Sequence, residues 1–420
     1  MGLFPRHKAG MKNKTHHPTR SKLTVLNQLC NFIPPHLVST LARETGVEDR
    51  SRTFTPWSHV VALMHAQLTH SIGLNDVCDS LRLNSGPLSV IRGAKPPSRN
   101  NFSHANRERN PEMAEKLFWA VLEHLQAISP GFGGGQGGFR LARRFRRAIH
   151  VMDSTTIQLV ARSMDWAKHR RRKAAAKCHL RLNLQSFLPN FVIIDPAREH
   201  DSKRARELCA GISEGEIAIF DKAYLDFKHL KDLWDRGVFW VTRAKENMAA
   251  TVYQHFPVEK GSKILRDEII TLDHGTEREP ESIRRIVALV EVDGKEREMT
   301  FLTNQYLWSP QTVVDLYRSR WEIEVFFKQL KQTLQLADFL GHNAHAVRWQ
   351  IWTALLVYIL LRFQAFLSKW NHSFTRLFTL IRASLWKNLD LLSLLRSCGT
   401  AGGSLRLLSA PDQAYLPGFG

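Results

Sequence analysis

Residues 316–331 read Leu316-Tyr317-Arg318-Ser319-Arg320-Trp321-Glu322-Ile323-Glu324-Val325-Phe326-Phe327-Lys328-Gln329-Leu330-Lys331, and no other segment constrains the chain as tightly. On a helix that turns about 100° per residue, Arg320, Glu324 and Lys331 fall roughly −60°, −20° and −40° from Tyr317. A phenol, a guanidinium, a carboxylate and an ammonium then share one stripe. Ile323, Phe326 and Leu330 take the other side and give the helix a core to face. Charged pairs at this spacing are ordinary on solvated helices. A lone carboxylate among cations, on a helix with a buried back, also suits a divalent metal held beside phosphates.

Two further acids stand at the ends of short apolar runs. One run is Ile149-His150-Val151-Met152 before Asp153; the other is Ile217-Ala218-Ile219-Phe220 before Asp221. Short β-branched, apolar runs bounded by polar residues predict buried strands. An Asp just past such a run lies at a sheet end, where it opens a turn, caps a helix or faces a cleft.

The spacing Y-x2-R-x3-E-x6-K is met by Tyr317, Arg320, Glu324 and Lys331. It resembles the Y-R-E-K signature of the DDE transposases of bacterial insertion sequences, the cut-and-paste group that includes the Tn-five transposase. Val151-Met152-Asp153-Ser154-Thr155 matches the V-x-D-S/A-T pattern around the family's first acid. Asp221-Lys222-Ala223-Tyr224 stands where D-R-G-Y is usual. Lys222 keeps the positive charge, and Ala223 would be strained if the glycine position needs positive φ. The resemblance runs over about residues 25–370. It implies that Asp153, Asp221 and Glu324 are catalytic and hold two Mg²⁺ or Mn²⁺ ions. It implies that Tyr317, Arg320 and Lys331 grip the transposon-end strand beside the cleaved phosphate. The expected reaction frees a 3′-OH by phosphodiester hydrolysis and joins it to target DNA, with two ends paired by a homodimer. Two divalent ions activate the attacking oxygen and stabilise the leaving one, and hard cations take carboxylate oxygens. The sequence has neither a C-x2-C pair nor H-E-x-x-H, so zinc is not expected.

Fifty-nine Lys and Arg stand against 39 Asp and Glu, a net charge of +20, which points to a polyanionic partner, most simply double-stranded DNA. The longest apolar run, 351–361, is shorter than the roughly 20 residues a bilayer needs and predicts a buried core helix, with no membrane partner. Five scattered cysteines (Cys30, Cys78, Cys178, Cys209, Cys398) suggest a reducing compartment, the cytoplasm, where the chain would sit on the nucleoid.

The expected fold class is α/β. Strands at 149–153, 178–184 and 191–194, a helix at 202–211, the Asp221 strand, a helix at 226–236 and a strand at 238–242 give a β-β-β-α-β-α order, that of an RNase H-like core. A β-rich insertion at 246–304 interrupts this core, as the resembling transposases also carry; it holds no Trp. Some of them use a Trp there to stack a flipped base during hairpin formation, so the excision route stays open. The core would span 146–245 and 305–370. Before it come a basic, disordered tail at 1–22, an all-helical DNA-binding domain at 23–130 and a Gly-rich, basic linker at 131–145. A tail at 371–420 follows. In the helical domain, Thr55-Pro56 predicts a cap with Pro at the first helical position. Ser98 is expected to cap a helix that carries Arg99, Asn100, Asn101, His104, Asn106 and Arg107, side-chain types that read base edges. The region resembles the N-terminal domain attached to many of these transposases; a generic helical bundle is the plain alternative. Three other readings of the whole chain remain: an RNase H-like nuclease without strand transfer, a catalytically inactive DNA-binding regulator derived from a transposase, and a structural basic protein that coats nucleic acid, which leaves the three acids unexplained.

Overall fold

A computed structural model of the chain describes residues 18–47, 53–133, 145–159, 168–169, 173–196, 201–245, 248–273, 280, 282–292, 294–334, 339–341 and 343–398. The linker 134–144, most of the basic run 169–173, the first 17 residues and the last 22 lie outside the described residues.

The chain is mixed α/β, with one large mixed sheet. In order come α1 (Val25–Cys30), α2 (Leu37–Glu44), α3 (Pro56–Thr69), α4 (Leu74–Leu83), α5 (Ser85–Ser89), α6 (Arg99–Glu108) and α7 (Glu112–Ile128). Then follow β1 (Ile149–Leu159), β2 (Lys168–His169), β3 (Lys173–Asn183), β4 (Leu188–Pro196), α8 (Asp201–Cys209), β5 (Ile217–Phe220), α9 (Phe227–Asp235) and β6 (Phe239–Arg243). The remainder is β7 (Ala250–His255), β8 (Ile264–Leu272), β9 (Ile283–Val292), β10 (Lys295–Thr303), α10 (Pro310–Arg318), α11 (Trp321–Lys328), a π turn (Gln329–Thr333), α12 (Ala344–Ser368), α13 (Phe374–Ser384) and α14 (Leu391–Ser397).

The strand order is β2-β3-β1-β5-β6-β10-β9-β8-β7, with β4 paired to β3. β5 pairs in parallel with β1 and with β6. Every residue of β5 is buried, as a continuous apolar run in a parallel pair should be. The expected insertion does not stand apart from the core. Phe301–Thr303 of β10 pair with Val241–Arg243 of β6, so β7–β10 extend the same sheet. The open side of β6 offers unpaired backbone groups, and β10 fills them; local patterning carried no sign of that long-range pairing. β7 lies inside the stretch expected to be β-rich.

The caps read from the sequence are in place. Thr55 accepts the Ser58 N–H ahead of Pro56, and Ser98 accepts the Asn101 N–H. The helices α1–α7 pack round α12 with α13 and α14, and their core is continuous with the sheet's. The Trp349 indole donates to the Arg109 carbonyl at 3.0 Å, and Tyr358 donates to the Phe187 carbonyl at 3.1 Å. α12 is thus the shared pillar of the helical and sheet layers. Its 25 residues exceed the apolar run and are long enough to cross a bilayer, yet 89% of its most apolar stretch is buried inside the chain. Residues 19–21 are ordered, against expectation: Ser21 N–H donates to Asn388, and Asp390 N–H to Thr19.

Candidate active site

The parallel register of β1 and β5 ends at Met152 opposite Phe220. The next residue along each is an acid, so Asp153 and Asp221 stand side by side where the parallel pairing ends. Asp153 is not at a strand end as expected, because β1 runs on to Leu159 in its pairing with β3. Asp221 lies just past the carboxyl end of β5, the side on which open α/β sheets bind ligands. The burial that makes β1 and β5 strands is therefore also what aligns the two carboxylates. Asp153 accepts the Ser154 N–H at 2.7 Å. Asp221 accepts the Lys222 N–H at 2.7 Å and caps a 3₁₀ turn over Lys222–Tyr224. Ala223 is not among the residues with positive φ, so it fits this turn without the strain considered above.

The third acid arrives on a helix that is not continuous. α10 ends at Arg318, and the chain tightens through i→i+3 bonds at Arg320, Glu322 and Ile323 before α11. The tightened turn still keeps the spacing of Tyr317, Arg320 and Glu324. Arg320 donates to Asp153 at 2.6 Å and to Glu324 at 2.8 Å. Tyr317 donates to Asp221 at 3.0 Å, and its ring packs on Phe301. The structure thus brings Asp153, Asp221, Glu324, Tyr317 and Arg320 together. Lys331 sits differently. The helix widens into the π turn at Gln329, which ends the 100° spacing on which the stripe was drawn. Lys331 is half-buried, with the Cys178 thiol as an electrostatic neighbour, and Cys178 pairs with Thr155 on β1. Lys328, on the same side of an ideal wheel, is exposed.

Arg99 and Arg107 lie apart from this centre, exposed on α6. Arg107 pairs with Glu108 at 2.6 Å. Asn106 departs from its expected place among the exposed side chains: it is buried and accepts from His59 at 2.8 Å. Phe102 and Ala105 turn that face of α6 inward, and Asn106 goes with them.

Burial pushes the Asp153 carboxyl up to about 6, with Glu324 and Asp221 adding to the rise and Arg320 and the Ser154 N–H opposing it. Burial would lower the Arg320 guanidinium, but Asp153, Tyr317, Glu324 and Asp221 together hold it above its ordinary range. Burial, then Asp221, raises the Tyr317 hydroxyl. Arg320 Nε is buried and has no acceptor among the described residues. A neighbour that the sequence did not single out is Glu322, buried on the core side of α11, where desolvation lifts its carboxyl to about 7. Beyond Asp221 an open cavity of about 620 Å³ is lined by Lys222, Leu225, Phe227, Lys245 and Met248.

The donor chemistry of the trio suits a hard divalent cation, since it offers only carboxylate oxygens. As the side chains stand, no group of three His, Cys, Asp or Glu among the described residues closes into a metal cage. The Arg320 fork stands between Asp153 and Glu324 and would have to yield one of them.

Residues 144–360 match the family described as Transposase DDE domain. Residues 21–91 match a second family, described as a domain of unknown function (DUF4372). A Sinorhizobium fredii chain described as a transposase is 30% identical over 271 residues, 63% of this chain and 74% of that one. A transposase described for the insertion sequence element IS5377 of Geobacillus stearothermophilus is 25% identical over 347 residues, 81% of this chain and 84% of that one. A Bacillus thuringiensis transposase for the element IS231C is 21% identical over 363 residues, covering 74% and 73%. The chain belongs to the DDE transposases of insertion sequences, enzymes that cut and move DNA with a divalent metal.

Proposed function

We propose that Asp153, Asp221 and Glu324 are the three catalytic acids and that together they hold two Mg²⁺ or Mn²⁺ ions. The observation that carries this reading is the convergence of the three from separate elements, with β1 and β5 in parallel register and Arg320 touching both Asp153 and Glu324. The ions would activate the attacking oxygen and stabilise the leaving one. Residues 146–245 and 305–370 would work as an RNase H-like core, with 246–304 added at its sheet edge. Arg320 gives a planar fork for phosphate oxygens, with Nε still free of an acceptor among the described residues. Tyr317 holds Asp221, and Lys331 lies along the strand that follows Asp153. Water attacks a phosphodiester at the transposon end, the P–O3′ bond breaks and the 3′-oxygen leaves with a proton. That 3′-OH then attacks a target phosphodiester, giving up its proton as the target's own P–O3′ bond breaks and the target 3′-oxygen leaves as a hydroxyl. Residues 23–130, with Arg99 and Arg107 on their exposed helix, would bind double-stranded end DNA. A homodimer would pair two ends, in the cytoplasm on the nucleoid. The net charge of +20 agrees with such a partner.

The test uses the full chain and a supercoiled plasmid that carries the coding sequence with its native flanking DNA. In Mg²⁺ or Mn²⁺ the wild type should release the element and yield joined donor–target products. Asp153→Asn, Asp221→Asn and Glu324→Gln should each abolish cleavage and still bind the plasmid ends. Normal nicking by any one of them removes that residue from the trio; cleavage without joined products makes the chain a nuclease.

A further inference from the structure

The π turn that follows Glu324 is held by side chains from the segment matched only to a domain of unknown function. α3 ends at His70, which adopts the left-handed conformation at φ 59°. Its Nε2 lies 2.8 Å from the Thr333 carbonyl. Its Nδ1 lies 2.8 Å from the Arg382 guanidinium on α13. A guanidinium can only donate, so Nδ1 accepts and Nε2 carries the proton that goes to Thr333. The ring stacks on Phe378 at 4.8 Å. One turn earlier on α3, the buried Gln67 amide donates to the Leu334 carbonyl. The Thr333 hydroxyl meets Thr375 at 3.1 Å.

The last carbonyls of a helix have no partner within it. Here two of them are capped by side chains of α3 and its C-cap. The turn they close is i→i+5, with Leu334 N–H on the Gln329 carbonyl at 3.1 Å. Such turns are rare and frequent at functional sites. This one carries Lys331 at its centre and runs on directly from the helix of Glu324. A non-glycine residue in left-handed backbone is strained. At His70 that conformation aims one imidazole at both Thr333 and Arg382.

We propose that Gln67 and His70 are positioning residues. They clamp the π turn, keep the Lys331 ammonium on the β1–β3 pair and fix the angle of the helix that presents Glu324. The segment of unknown function is then built into the catalytic centre. This rests on the reading of Glu324 and Lys331 given above.

His70→Gly is the cleanest variant, since glycine adopts positive φ freely and only the imidazole is lost. The assay is single-turnover cleavage of the same native-flank plasmid, with full-length protein saturating the DNA. The rate should fall about 10- to 100-fold, the loss typical of a misplacement near 1 Å, while DNA affinity stays unchanged. Added imidazole should restore part of the rate. Arg382→Ala, at an exposed position, should give a smaller loss through the unpinned ring. Wild-type rates in His70→Gly overturn the clamp and leave the active-site reading intact. A slowed variant that imidazole does not restore, or one that also loses DNA binding, overturns it too. If the wild type itself fails to cleave, the active-site reading falls first.

Discussion

Arg320 donates to Asp153 at 2.6 Å across 167 positions of chain, and the same guanidinium reaches Glu324 one helical turn on at 2.8 Å. One side chain thus ties the first acid to the third. A planar fork can hold two carboxylates at once, whereas an ammonium on a flexible stem is a point charge. The charge is needed to offset two half-buried acids, but the geometry comes from the fork.

Arg320→Lys should therefore keep the net charge and lose the chemistry. We expect single-turnover cleavage to fall about 100-fold or more, in the range for loss of one preorganised donor. Affinity for end DNA should stay within about twofold of wild type. An equal loss in binding and cleavage would mean that Arg320 only attracts DNA.

Tyr317 donates to Asp221 at 3.0 Å and packs, tilted, on Phe301 at 5.1 Å between centroids. Tyr317→Phe keeps the ring contact and removes the donor. Asp221 would then lose one of the bonds that fix its carboxylate. The Mn²⁺ concentration for half-maximal cleavage should rise about tenfold, the lower end for loss of a group that orients a metal ligand. Thermal stability should drop by about 1 kcal/mol. An unchanged metal titration would leave Tyr317 with a packing role alone.

The trio was legible because its signals are local. Ile217–Phe220 has only apolar residues before Asp221, and burial of such a run makes a strand whose next residue faces the sheet end. Tyr317, Arg320 and Glu324 keep helical spacing even though the helix tightens at Ser319. The wheel angle drawn for Lys331 does not hold, because the spacing rule assumes one helix type and the turn at Gln329–Thr333 is wider. The pairing of β10 with β6 was hidden for another reason. Strand register across some 60 positions depends on which edge is open, and no local pattern records that. His70 was unreadable for the same cause: its partners Thr333 and Arg382 lie far along the chain, and nothing in His70-Ser71 marks a left-handed residue.

Arg99 and Arg107 lie on the exposed side of α6, and Arg107 is paired with Glu108 at 2.6 Å. If these two meet phosphates, Arg99→Ala in the full chain should weaken end binding equally for all sequences and reduce the salt slope by about one unit. A base-edge contact would instead cost about 1–3 kcal/mol at one base pair. Glu108→Ala frees Arg107 and should tighten binding, most at low salt. Unchanged affinity in both variants would take α6 off the DNA.

His59 on α3 is wholly buried against α6 and α12, with Nε2 on Asn106 at 2.8 Å and Trp349 against its ring at 4.7 Å. Burial, with Arg109 adding and Asn106 opposing, pushes its pKa down to about 3. The folded state therefore keeps this ring neutral while the unfolded chain protonates it near 6.5. A depressed histidine contributes stability that is present above 6.5 and is lost as pH falls towards 3, at up to about 1.4 kcal/mol per pH unit. His65 and His229, both pushed by burial to about 4, act the same way. Glu322, raised to about 7, acts in the opposite sense, because the folded state holds a proton there that the unfolded chain releases. A difference measurement isolates His59. His59→Gln, which can still donate to Asn106, should be less stable than wild type at pH 7.5 by about 1–3 kcal/mol from lost packing. Between pH 6.5 and 4.5 that gap should narrow by about 1.4 kcal/mol per unit, because only the wild type has an imidazole to protonate on unfolding. Denaturant titrations of both proteins at four or five pH values decide it. A gap that stays constant would mean that the His59 ring is already charged in the folded protein, and its assignment as a neutral core donor would be wrong.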